Sequence, residues 1–161
     1  MRGRDVAKEL DGPVARRLLS GAIPARFAYV ALDGTPRAIP IGFLWNGREV
    51  VMCTATNSAK VKALKANPQI ALTIDTTDHP PQILLMRGAV SLETVDGIPD
   101  EYLQMQSGLV PADQWDGWLA GVRDVYRQMV RITVTPTWAK VIDFEKTLPS
   151  AVAELAAKRE R

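Results

Sequence analysis

The sequence holds one cysteine, Cys53, and one histidine, His79, in 161 residues. A lone cysteine forms no intramolecular disulfide. One cysteine and one histidine cannot build a zinc site of the usual kind. A Ser-His-Asp triad would have to draw on His79, which sits in the Pro-rich stretch Asp78-His79-Pro80-Pro81. The excess of positive charge is only +2, too little to argue for nucleic acid. No apolar run approaches the roughly 20 residues of a membrane span. The start, Met-Arg-Gly-Arg-Asp, lacks an apolar signal core, so a cytoplasmic location is expected. There is no Gly-rich dinucleotide fingerprint, no phosphate-binding P-loop, no internal repeat and no low-complexity linker.

What remains suits one globular domain, expected to span residues 1–161. Apolar residues make up 47% and charged residues 24%. A chain of this length buries a core without disulfides or metals.

The first 20 residues read as helical. Val6, Leu10, Val14 and Leu18 recur every four positions, Pro13 can open a new helix after Gly12, and Gly21 ends it. Three strands follow as a meander: Phe27 to Leu32, Pro36 to Trp45 and Val50 to Thr54. Asp33-Gly34 and Asn46-Gly47 supply the hairpin turns. A short helix comes next, capped by Asn57 and stopped by Asn67-Pro68. The fourth strand is Ile70 to Ile74. The fifth is Gln82 to Leu92, with a bend expected at Gly88. Residues 96–129 read as a helical insertion. Trp115, Trp118, Leu119, Val122, Val125, Tyr126 and Met129 fall on one face of it. One last strand is expected from Val130 to about Phe144, and a short helical tail in 150–161. Hairpins dominate and no βαβ unit occurs, so the pattern is mainly β with peripheral helices: a small barrel or curled antiparallel sheet.

The richest segment is Cys53-Thr54-Ala55-Thr56-Asn57-Ser58-Ala59-Lys60. A strand ending in hydroxyl residues turns into a helix N-terminus, where free backbone N–H groups attract anions. Ser58 adds a hydroxyl. Lys60 places positive charge in the first turn, against the helix dipole, which makes sense if it faces a phosphate. Taken alone, the segment reads more readily as a capped surface helix with solvated lysines, because short motifs often match by chance.

The order of elements, with Thr-x-x-x-Ser-x-Lys between a strand and a helix ending in Asn-Pro, resembles the pyridoxamine 5'-phosphate oxidase-like split β-barrels. The resemblance covers about residues 20–95. It implies a flavin-type cofactor, FMN or the deazaflavin coenzyme F-420, bound by a homodimer. It implies that Thr54, Ser58 and Lys60 hold the cofactor phosphate. It also implies that Ile39, Pro40, Ile41 and Gly42 run along the ring and that Gln82 contacts it. The oxidases proper carry arginines where this chain has Ala38 and Ala59, so vitamin B6 oxidation is not expected. The pattern is closer to the deazaflavin-using branch. Lys62 and Lys65 could then meet an acidic cofactor tail, or be ordinary solvated lysines.

The expected function is hydride transfer to or from a small molecule on that cofactor. The alternative is a flavin or haem carrier or sensor on the same barrel. Neither reading names catalytic residues. Cys53 is expected to be a buried small hydrophobe. Arg87 is expected to face a cleft or a partner subunit. Trp138 is expected in the core or across a dimer interface.

Overall fold

The computed structural model describes residues 3–159. Helices α1 (Gly3–Leu10) and α2 (Pro13–Leu18) open the chain. Val6, Leu10 and Leu18 of this expected stripe are buried, and Val14 packs against them. Pro13 starts α2, where its missing N–H is harmless. Gly21, at a φ of +84°, turns the chain into the sheet.

The sheet is antiparallel throughout. Its strands are β1 (Ala25–Val30), β2 (Pro36–Ile41), β3 (Leu44–Trp45), β4 (Val50–Ala55), β5 (Gln69–Asp75), β6 (Gln82–Asp96), β7 (Gln128–Val134) and β8 (Trp138–Asp143). The hydrogen-bonded order is β2-β1-β5-β6-β7-β4-β3, with β8 also on β6. The 15-residue β6 joins the two halves. Its first part pairs with β5 and β8, its second with β7. β6 runs unbroken through Gly88, where the close approach of the chain leaves no room for a side chain: a Cβ would stand 2.9 Å from the Thr135 carbonyl oxygen. The two ends of the path, β2 and β3, are separated in sequence only by Gly42 and Phe43. The sheet therefore curls until its ends approach, and no ladder closes it. This is a split β-barrel with peripheral helices.

Strand alternation builds the core. Ile70, Leu72 and Ile74 of β5 point inward, as do Gln82, Leu84 and Met86 of β6. They meet Phe27, Met52 and Ile132, and α1 and α2 cover this interior. Burying each large apolar side chain contributes about 1.5–3 kcal/mol. Glu9 Oε1 accepts a 2.5 Å bond from the Val141 N–H and so ties α1 to β8. No helix among the described residues is long and apolar enough to cross a membrane.

Several sequence expectations change. The three-strand meander is two separate hairpins, because β2 pairs only with β1 and β3 only with β4. The stretch Pro36 to Trp45 breaks at Gly42-Phe43, where the chain passes between the two halves. The strand expected from Val130 to Phe144 is β7 plus β8. Pro136 interrupts it, since proline cannot donate to a ladder. The 96–129 insertion is helical only in α4 (Asp100–Ser107), a 3-10 turn (Ala112–Gln114) and α5 (Trp115–Val125). Asp96 and Gln128 pair as strand residues, so Met129 lies in β7 and not on the helix face. The tail forms α6 (Ser150–Arg159). The ends of the expected N-terminal helix and tail, residues 1–2 and 160–161, lie outside the described residues.

Candidate functional site

Strand β4 delivers Thr54, a tight turn follows, and α3 (Ala59–Ala66) begins. Ser58, not Asn57, holds the N-cap position, with extended backbone at φ −63° and ψ 135°. Its hydroxyl does not cap the helix. Instead the Lys60 ammonium donates to Ser58 Oγ at 2.8 Å and to Thr54 Oγ1 at 3.0 Å. The three residues singled out by spacing are therefore one cluster.

The charge in that cluster is unbalanced. Among the described residues no carboxylate forms an ion pair with Lys60. Partial burial lowers its pKa below the ordinary lysine value. The α3 first turn contains no acidic side chain and no side-chain cap. A hydroxyl that accepts from lysine keeps its own O–H free for another acceptor. Two hydroxyls, an ammonium and uncapped helix N–H groups form a donor-rich pocket suited to a phosphate.

Beside it lies a cleft of about 440 Å³, lined by Tyr29, Arg37, Asn57, Ala59, Lys62 and neighbouring residues. Asn57, expected as the cap, faces this cleft. Arg37 reaches it from the β1–β2 hairpin and is held by Asp33 at 2.9 Å and by the Thr35 hydroxyl. The Thr35 hydroxyl and N–H, then Arg37, hold the Asp33 carboxyl down at about 2. Tyr29 and Arg37 carried no sequence signal as site residues. Their opposition in the β1–β2 register places them together. Lys65 lines a different hollow, with Thr94, Gln128 and Val130.

Strand β2 is an end strand of the sheet. Ile39 and Ile41 turn toward the core, while Pro40 and Gly42 are exposed. Proline is tolerated there because one edge of the strand has no ladder. Gln82 is not brought to Lys60. By register Thr54 aligns with Val130 and Thr94 near the end of β6, whereas Gln82 opens β6. The Gln82 side chain is buried and donates from Nε2 to Asp143 Oδ1 at 3.1 Å, leaving Oε1 without a partner. Arg87 is exposed on the outer face of β6. Its guanidinium stacks 4.3 Å from the Trp138 ring centroid. Cys53 is buried, and burial pushes its thiol up to about 12, so it is not poised as a nucleophile.

A family profile described as pyridoxamine 5'-phosphate oxidase matches residues 13–139. The chain belongs to that family. Comparison with curated protein sequences gives no match. Among solved structures, an F420 reductase is 28% identical, with a TM-score of 0.60 over 78% of this chain and 94% of that one. A putative pyridoxamine 5'-phosphate oxidase from Listeria innocua is 16% identical, with a TM-score of 0.57 over 79% and 94%. The haem storage protein HutZ from Vibrio cholerae is 14% identical, with a TM-score of 0.56 over 80% and 92%. The last two likenesses speak to the fold alone. The matched stretch carries the whole Thr54–Ser58–Lys60 cluster and, as the sequence indicates, alanine at 38 and 59.

Proposed function

We propose that this member of the pyridoxamine 5'-phosphate oxidase family binds FMN or coenzyme F-420 and works as an oxidoreductase on a small molecule other than a B6 vitamer. The supporting observation is the half-buried Lys60 ammonium, held by two hydroxyls with no carboxylate among the described residues to balance it. Lys60 would neutralise the cofactor phosphate. Thr54 and Ser58 would turn their O–H groups toward it, and the α3 backbone would complete the cradle. The free edge of β2, from Ile39 to Gly42, would offer backbone groups along the ring. Gln82, which opens β6 away from the phosphate cluster, would contact the ring. When bound, the ring supplies the hydride chemistry, which fits a chain without an evident acid–base pair. The likeness to an F420 reductase supports the deazaflavin over FMN, as does the alanine at positions 38 and 59.

Titration of the purified protein with each cofactor, followed by fluorescence, tests the reading. Saturable binding of one of them and turnover of an enone or dye with its reduced form are expected. Binding without turnover would favour a carrier. No binding of either cofactor at tens of micromolar would overturn the proposal.

A further inference from the structure

The connection between β6 and β7 is a 29-residue arm, residues 98–126, on a fixed neck. Asp96 pairs with Gln128 in the ladder, and the Gln128 amide donates to Asp96 Oδ1 at 2.7 Å. The Gly97 N–H donates to the Arg127 carbonyl at 2.7 Å. Gly97 turns the chain at a φ of +72°, with open space where a side chain would be.

Beyond the neck the arm folds back over the outer face of the sheet. Helix α4 lies against β3 and β4, while α5 makes its main contact with the 3-10 turn just before it. Neither helix contains a fully buried residue. Tyr102, Trp118 and Trp115 gather their rings with one another, at centroid separations of 6.2 and 5.1 Å. The arm thus carries its own small cluster and adds nothing to the core.

What it covers is well defined. Val51, Cys53 and Met129 are buried but stand outside the core cluster, on the opposite face of β4 and β7. Glu101 and Arg131 lie within electrostatic reach of Cys53. Met105 of α4 approaches Gly42, its Sδ 3.9 Å from where a Cβ would stand. One ion pair fastens the arm to the sheet: Arg131 Nη2 to Glu101 Oε2 at 3.0 Å. The other Arg131 pair, with Glu93 at 2.7 Å, stays within the β6–β7 ladder. Arg131 Nε is buried without a hydrogen-bond partner, so the closed arrangement leaves one donor unsatisfied.

We propose that residues 98–126 are a hinged cover, latched by Glu101 on Arg131, whose lifting uncovers Cys53 and the outer side of β4 next to Gly42. Local opening of this kind draws on segments with few buried apolar contacts. It does not depend on which cofactor, if any, the protein binds.

Cys53 is the sole cysteine and reports the motion directly. The rate of its reaction with a thiol-specific disulfide reagent would be measured in the native protein and in the variants Glu101→Gln and Glu93→Gln. Circular dichroism would confirm that each variant is folded. Labelling about tenfold faster in Glu101→Gln is expected, with Glu93→Gln within about twofold of the unchanged protein. The rates should not vary with protein concentration, and hydrogen exchange should quicken across 98–126 but not in β7. An unchanged rate in Glu101→Gln would overturn the cover. So would an equal rise in Glu93→Gln, a rate that falls with protein concentration, or labelling that tracks global unfolding in urea.

Discussion

At the scale of single residues, two lysines on one short helix face different environments. Lys60 is bonded to Thr54 and Ser58, whereas Lys62 lines the neighbouring cleft. Lys60→Ala is expected to weaken cofactor binding about tenfold to a hundredfold and barely change the melting temperature of the cofactor-free protein. Lys62→Ala is expected to spare FMN and weaken coenzyme F-420, if the acidic tail of that cofactor enters the cleft. Equal, small effects of Lys60→Ala on both cofactors, read by fluorescence titration, would remove the anion site. The pH dependence follows from burial. Because the Lys60 pKa is lowered in the folded chain, the folded state releases this proton at a lower pH than the unfolded chain does. Its contribution to stability therefore rises with pH through that window, below the ordinary lysine value of 10.5. A bound phosphate needs the ammonium, so affinity should move the other way and fall as pH climbs through the same window. Lys60→Arg, which stays charged, should keep affinity flat there. Cys53→Ser and His79→Ala should leave affinity within about threefold, since neither residue belongs to the cluster. A hundredfold loss in either variant would reopen nucleophilic or metal chemistry.

At the scale of elements, β6 depends on Gly88. An alanine there would press its Cβ to 2.9 Å from the Thr135 backbone carbonyl and 3.0 Å from Val134 Cγ1, so the backbone would have to shift. Gly88→Ala should cost about 1–3 kcal/mol in urea unfolding, the range for overpacking. Gly117→Ala, in α5 with open space around it, should cost nothing. The same element scale shows what could be read in advance. The Thr54–Ser58–Lys60 cluster was legible because strand, turn and helix lie within seven consecutive residues, and local geometry fixes how they meet. Gly88 stood out as a glycine inside a long strand pattern, and it marks a close backbone approach. The break between β7 and β8 also had its signal in Pro136, which an unbroken strand could not have accommodated. The break at Gly42-Phe43 was not read in advance, since the run stays apolar on both sides and the cause is the passage of the chain from one end of the sheet to the other. Nor could spacing foretell that Gln82 faces Asp143, 61 residues away. Helix α5 was recognised from its periodicity, but periodicity does not say what covers an apolar face. In this chain that face meets α4 and its own aromatic neighbours.

At the scale of the whole molecule, the five strands β2, β1, β5, β6 and β8 present an outer face on which the register aligns side chains in rows. Ala38, Ala28, Ala71, Arg87 and Trp138 form one row, and Pro40, Arg26, Thr73, Leu85 and Lys140 the next. Ile83 and Ile142 extend it. Leu85, Ile83, Ile142 and Trp138 are all only partly covered within one chain. An antiparallel sheet normally solvates one face with polar side chains, and this face is unusually apolar for that role. A second copy would bury it, and a two-fold axis would let the same rows meet their own counterparts. The protein is therefore expected to be a homodimer through this face. Light scattering at micromolar concentration should give twice the chain mass. Leu85→Glu should shift it toward the monomer by setting unpaired charge in the contact, whereas Val125→Glu, at a position 71% exposed on the arm, should not. A monomeric native protein would refute the dimer. Dissociation by Val125→Glu but not by Leu85→Glu would move the interface onto the arm, and the arm would then be a subunit contact and no longer a cover.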